Sequence, residues 1–153
     1  MASRIRKATQ PATPVHRPKC YCSSLRQVSR VMTQLYDQRL KPSGVLTTQF
    51  SLLRYIAANR GVRTSDLAGA LLIDNSTLTR TLATLQSSGW IAQDASEDRR
   101  ERRWAITREG QRRLAQAIPL WEKAQAELDR KIGSGDMRRL AKVVSEIAQK
   151  LAA

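Results

Sequence analysis

A mainly α-helical fold with one small β-hairpin is what this sequence predicts, on three observations. Apolar residues recur at helical spacing along most of the chain, as Leu78, Leu82 and Leu85 do. Two short apolar runs, Trp90-Ile91-Ala92 and Trp104-Ala105-Ile106, flank a charged stretch studded with arginine, the pattern of two strands and a basic tip. Just upstream, two short helical segments are separated only by Leu72-Ile73-Asp74, the spacing of a helix-turn-helix. The class is a winged helix-turn-helix set between terminal helices, with the hairpin as the wing.

The chain has 153 residues, enough for one domain with a sizeable core. Its one Phe, three Tyr and three Trp leave Leu, Ile, Val and Ala to fill that core. A balance of 27 basic against 13 acidic residues gives a net charge of +14, which points to a polyanionic partner. Charge alone would suit DNA, RNA or an anionic membrane. No apolar run approaches the ~20 residues of a membrane span, so no membrane partner is expected. Two cysteines separated by a single residue make no disulfide framework, and a reducing cytoplasm is the expected location.

Residues 1–19 contain Pro11, Pro14 and Pro18 with Arg4, Arg6, Lys7, Arg17 and Lys19 and no acid, the composition of a disordered basic tail. Such a tail either lies along DNA or is simply solvated. Its arginine and serine are compatible with a mitochondrial transit peptide, but the prolines oppose the amphipathic helix one needs. From residue 20 the stripe Leu25, Val28, Val31, Leu35 predicts a first helix closing at Pro42 and Gly44. Thr47 is placed to cap a second, with Phe50, Leu53, Ile56 and Ala57 inward, ending near Asn59-Arg60-Gly61. Thr64 starts a third, short helix through Leu71. Asp74 then caps the fourth by accepting from the amide of Thr77, and Gly89 ends it.

The solvent face of that fourth helix carries short donors and acceptors and one guanidinium, the chemistry of a base reader. Asn75, Ser76, Thr77, Thr79, Arg80 and Thr84 are its DNA-contact candidates, Arg80 being best suited to a bidentate contact with guanine. Thr64 and Ser65 lie at a helix N-terminus, where amides and hydroxyls favour phosphate. Arg99, Arg100 and Arg102 are the wing candidates, whereas Arg108, Arg112 and Arg113 belong to the surface of the following helix. Thr107 caps that helix, Pro119 should bend it, and Gly133-Ser134-Gly135 breaks it. Asp136 opens a last helix with Met137, Leu140, Val143, Ile147 and Leu151 on one stripe.

At these residues the sequence resembles the MarR family of bacterial winged-helix transcriptional regulators. The family's wing signature is Asp-x-Arg, three residues, two apolar residues separated by one, then Thr-x-x-Gly. It reads here from Asp98-Arg99-Arg100 through Trp104 and Ile106 to Thr107-Arg108-Glu109-Gly110. Upstream, Leu46-Thr47-Thr48-Gln49-Phe50-Ser51-Leu52-Leu53 also matches. The resemblance implies one domain over residues 20–152, with 20–45 and 108–152 as dimerisation helices and 46–107 as the winged helix-turn-helix. It implies a homodimeric repressor of double-stranded DNA at a pseudo-palindromic operator. Arg100 then occupies the tip position that enters the minor groove, and Asp98 steadies the loop. Gln93 departs from the basic residue many members carry there, so one phosphate contact is missing. Members often bind small aromatic acids between the dimer helices and the winged region, and Tyr36 and Trp104 are the candidates for such a cleft. From periodicity alone, the terminal stripes pack either within one chain or between two.

Catalysis has no support. His16 is the only histidine and lies in the tail, which leaves no triad, and no phosphate loop, Cys-x-x-Cys pair or His-Glu-x-x-His motif occurs. No cofactor or metal is expected. An architectural nucleic-acid binder without effector control remains the alternative, with binding set almost wholly by salt. Cys20 and Cys22 open the first helix as candidate effector or redox residues, because thiols near an exposed terminus are open to peroxide and soft metals. They are equally compatible with no role.

Overall fold

The computed structural model describes residues 20–94 and 101–152. The basic tail and the wing tip with Asp98, Arg99 and Arg100 therefore lie outside the described residues. The helices are α1 (Tyr21–Leu40), α2 (Thr47–Ala58), α3 (Thr64–Leu71), α4 (Asn75–Ser87), α5 (Arg108–Ile132) and α6 (Ser134–Ala152). A 3-10 turn, Lys41–Ser43, links α1 to the second helix, and Gly44 follows it at φ +71°, a conformation glycine adopts without strain.

Three strands accompany them: β1 (Val62–Arg63), β2 (Ile91–Asp94) and β3 (Arg103–Ile106). β3 is central and antiparallel to both neighbours, with Val62 opposite Trp104 and Ile91 opposite Ile106. The two-residue β1 was not expected, since so short a strand leaves no period to read. It fastens the start of α3 to the wing. Trp90 lies just before β2 rather than within it, and its carbonyl accepts from Thr107 N–H at 3.0 Å.

The core is built from Leu40, Val45, α2, α3, α4 and the sheet, and α5 closes it with Leu114 and Ala117. Leu78, Leu82 and Leu85 are buried as their spacing demands. On α2 the buried residues are Phe50, Leu52, Leu53 and Ile56, while Ala57 faces solvent, because the inward stripe is centred between Leu52 and Ile56. Thr47 is the first helical residue and not the cap. Its N–H and its hydroxyl both donate to Asp37 Oδ1 of α1, at 2.7 and 2.6 Å, so a carboxylate from another helix supplies the missing acceptor. Thr64 likewise stands inside α3, with Arg63 in the cap position.

α5 passes through Pro119 as one continuous helix, and only Gly133, at φ +106°, separates it from α6. The last helix thus begins at Ser134 and not at Asp136. α1 and α5 are joined by polar ties: Tyr36 Oη donates to Gln125 Oε1 at 2.7 Å, and Arg39 Nε to the buried Glu127 at 2.7 Å. The terminal stripes pack only in part within the chain: Met32, Leu35, Met137 and Leu140 are half-buried, and the rest of each stripe is open. Val31 is 66% exposed, Leu25 and Val28 remain largely open, and Val143, Val144, Ile147 and Leu151 of α6 are exposed as well.

Candidate nucleic-acid interface

α4 is started by Asp74, whose Oδ1 accepts from Thr77 N–H at 2.9 Å and from the Ser76 hydroxyl at 2.6 Å. These bonds, the Ser76 hydroxyl first and Thr77 after it, hold the Asp74 carboxyl far below its ordinary range. Because the folded state depresses this pKa, the cap is intact above about pH 4 and is lost as acid protonates it. The helix is carried on Leu72, which takes a left-handed conformation at φ 49° between α3 and α4. That turn is what lets two short helices cross closely enough to share Leu67, Leu78 and Leu82 in one core.

The outward face of α4 presents Asn75, Ser76, Thr77, Thr79, Arg80 and Thr84, all exposed. The hydroxyls differ in what they have left to offer. Ser76 has given its proton to Asp74, and Thr84 donates to the Arg80 carbonyl at 3.1 Å. Both present lone pairs outward. Among the described residues Arg80 has no ion-pair or hydrogen-bond partner, unlike Arg63 and Arg103 at the foot of the wing. A free guanidinium in the middle of an otherwise neutral helix face can meet a guanine edge without first breaking a bond.

At the N-terminus of α3, Ser65 is exposed but Thr64 is not available as expected. Its hydroxyl donates to the Arg102 carbonyl at 3.3 Å and accepts from Trp104 Nε1 at 2.9 Å. Thr64 ties helix to wing rather than protein to phosphate. Trp104, expected on a ligand cleft, is 3% exposed and forms part of the core. Tyr36 is half-buried between α1 and α5, and burial, then the nearby Asp129 charge, raises its phenol pKa. The structure does not bring these two aromatics together.

The foot of the wing carries charges that sequence reading did not single out. Arg63 meets Asp66 of α3 in a fork, Nε at 2.9 Å and Nη2 at 3.1 Å, and reaches Glu101 with Nη1 at 3.4 Å. Arg103 holds the other oxygen of Glu101 at 2.9 Å and reaches the Gly61 carbonyl at 3.4 Å. Hydrogen bonds from Arg63 lower the Asp66 pKa, and those to Asp66 and then Glu101 raise that of Arg63. Arg102 points to solvent without an ion pair among the described residues. Arg112 and Arg113 lie on α5 and both bind Glu109, three and four residues upstream.

A further cavity of about 360 Å3 lies between α2 and α5, lined by Phe50, Ser51, Arg54, Tyr55, Ala58 and Trp121. Phe50 and Trp121 stack with ring centres 5.8 Å apart, and the Arg54 guanidinium lies 4.8 Å from the centre of Trp121. Only assembled helices reveal this site, since Trp121 is far from Phe50 in sequence. Cys20 and Cys22 are both free and exposed. Among the described residues no cluster of His, Cys, Asp and Glu could hold a metal ion, and no helix is long and apolar enough to cross a membrane.

Comparison with known proteins places this architecture. A model of the MarR family matches residues 47–101, from the start of α2 to the wing. The M. tuberculosis transcriptional regulator MosR, solved in complex with DNA, is 33% identical with a TM-score of 0.76, over 87% of this chain and 98% of that one. MepR of S. aureus, also solved with DNA, shares the fold at 18% identity and a TM-score of 0.72, over 87% and 99% of the two chains. An uncharacterized HTH-type transcriptional regulator of Bacillus subtilis (strain 168), YwoH, is 24% identical over 104 residues, 68% of this chain and 76% of the relative. With a winged helix-turn-helix, a small three-stranded sheet and these relatives, the chain has the fold of transcriptional regulators rather than of an enzyme, and it belongs to the MarR family.

Proposed function

We propose that the protein is a homodimeric, sequence-specific binder of double-stranded DNA that represses transcription from a pseudo-palindromic operator. The observation that carries this reading is the face of α4, exposed along its length and centred on an Arg80 with no partner among the described residues. The DNA complex of MosR, 33% identical, supports it. α4 enters the major groove with Asn75, Thr79 and Arg80 at base edges, while Ser76, Thr77 and Thr84 offer acceptors beside them. Ser65 meets a phosphate at the start of α3, and Arg102 joins Arg99 and Arg100 in the wing, Arg100 at the minor groove and Asp98 as its support. The open apolar stripes of α1 and α6 supply the dimer interface, for few monomers leave so much contiguous apolar surface in water.

Release by a small molecule has a site of suitable chemistry. The cavity over Phe50 and Trp121 offers aromatic walls, and the Arg54 guanidinium has no carboxylate partner there. An aromatic carboxylate would stack on the rings and pair with Arg54. The site touches both α2 of the winged region and α5, so a ligand that fits only one arrangement of the two would shift the spacing of the α4 helices. Cys20 and Cys22 give a thiol-directed signal an exposed target at the start of α1.

Replacing Arg80 tests the assignment directly. Arg80→Ala should cost ~1–3 kcal/mol on the preferred duplex and relax base choice at one position. Arg100→Ala should instead weaken binding while reducing any preference for a narrow A·T minor groove. The measurement is anisotropy titration of duplexes selected from a random library, at matched salt. Binding of both variants indistinguishable from the parent would refute the placement of helix and wing.

A further inference from the structure

Acidic residues on a DNA-facing surface ordinarily oppose binding, yet Glu101 immediately follows the wing-tip arginines Arg99 and Arg100. Its carboxylate does not face open solvent alone. One oxygen meets Arg63 Nη1 at 3.4 Å and the other meets Arg103 Nη2 at 2.9 Å. Arg63 stands in the cap position of α3 and is itself fixed by the fork to Asp66, so the chain α3–Arg63–Glu101–β3 runs from the helix-turn-helix to the wing. The neighbouring backbone follows the same route, with Thr64 N–H donating to the Arg102 carbonyl at 3.2 Å.

We infer that Arg63 and Glu101 are positioning residues that latch the wing to α3 and so set where the tip arginines meet DNA. This rests on the reading of α4 and the wing as the DNA-contacting elements. The arginines then divide by task. Arg63 and Arg103 are neutralised within the protein and hold the foot of the wing, while Arg102 has no ion pair among the described residues and stays available for phosphate. A fixed foot lowers the entropy lost when the wing is seated on DNA, which raises affinity without an added contact. The carboxylate thus helps binding although its charge repels the partner.

The sign of one substitution tests this. Glu101→Gln removes an acid, and simple electrostatics would leave binding unchanged or strengthen it. The latch instead requires that it weaken binding roughly tenfold, the scale of one misplaced groove contact. Arg63→Ala should give a similar loss, and the double variant should be no worse than the poorer single one, because both act through one contact. Affinity, hydroxyl-radical protection for the minor groove and dimethyl sulfate protection of guanine N7 for the major groove are measured on duplexes selected by the parent protein, with thermal unfolding of each variant as the fold control. The supporting result is loss of minor-groove protection at the flanks with major-groove protection retained and the melting point within a few degrees of the parent. Tighter or unchanged binding by Glu101→Gln overturns the latch, as do additive losses, which would place Arg63 itself on a phosphate. A parent that selects no duplex would overturn the DNA reading and the latch with it. A parent weakened by Arg80→Ala but not by Glu101→Gln overturns the latch alone.

Discussion

Gly110→Ala is expected to destabilise the fold by at least about 3 kcal/mol, a large share of the stability of a small domain. Gly110 lies in the first turn of α5, and a Cβ there would stand 2.0 Å from the Trp90 carbonyl oxygen and 2.8 Å from Ile106 Cγ1. The carbonyl is not free to retreat. The Trp90 carbonyl is held by Thr107 N–H, and the Thr107 hydroxyl donates to the Gly89 carbonyl at 2.7 Å while accepting from Gly110 N–H at 3.0 Å. The Thr-x-x-Gly of the wing signature thus has a direct physical reading: the threonine caps α5 and the glycine lets that helix touch the Trp90 backbone just before β2. At ~2–4 °C per kcal/mol for a chain of this size, the melting point should fall by roughly 6–12 °C. Gly135→Ala is the control, since nothing lies within 4 Å of its added methyl and a helical glycine is being replaced. It should be neutral or stabilising by up to about 1 kcal/mol. Urea unfolding of the two variants checks both statements, and a Gly110→Ala protein as stable as the parent would contradict the close approach.

Ile147→Asp should turn the protein into a monomer at micromolar concentration and lower affinity for the preferred duplex at least about a hundredfold. Ile147 is 41% exposed on α6, in line with Val143, Val144 and Leu151, and α1 presents Leu25, Val28 and Val31. Between these helices runs an apolar groove of about 350 Å3, lined by Val28, Val31, Met32, Leu35, Leu128, Ile132 and Leu140. A second copy would cover both stripes and the groove. In a two-fold interface each substitution acts twice, and an unpaired carboxylate in an apolar contact costs several kcal/mol, more than the ~2.7 that a hundredfold change requires. Folding of the single chain should survive, because among the described residues none of α6 is fully buried in it. Sedimentation and duplex titration read the two effects. A variant that stays dimeric would move the interface elsewhere.

What was legible in the sequence was what is local along the chain. The Asp74 cap, the Leu78–Leu82–Leu85 stripe, Gly89 and the Thr107 cap each depend on residues within a turn of one another, and each lies where spacing put it. The parts that escaped depend on partners far apart in sequence. Asp37 at the start of α2, Arg63 on Glu101, and Arg54 between Phe50 and Trp121 are products of helix packing, and no period encodes them. Trp104 illustrates the same limit. The family resemblance made it a candidate for a ligand cleft, but its place opposite Val62 and its bond to Thr64 turn it into core. Thr64 shows that a hydroxyl at a helix start is a phosphate ligand only if nothing inside the chain has taken its proton.

Under the proposed function, two chains read one duplex together. The most direct measurement is the stoichiometry and hydroxyl-radical footprint of the parent protein on duplexes it selects from a random library. The expected result is two chains per duplex and a pseudo-palindrome whose two protected half-sites lie about one helical turn, ~10 base pairs, apart. One chain per duplex, or protection that shows no sequence preference and varies only with salt, would contradict it.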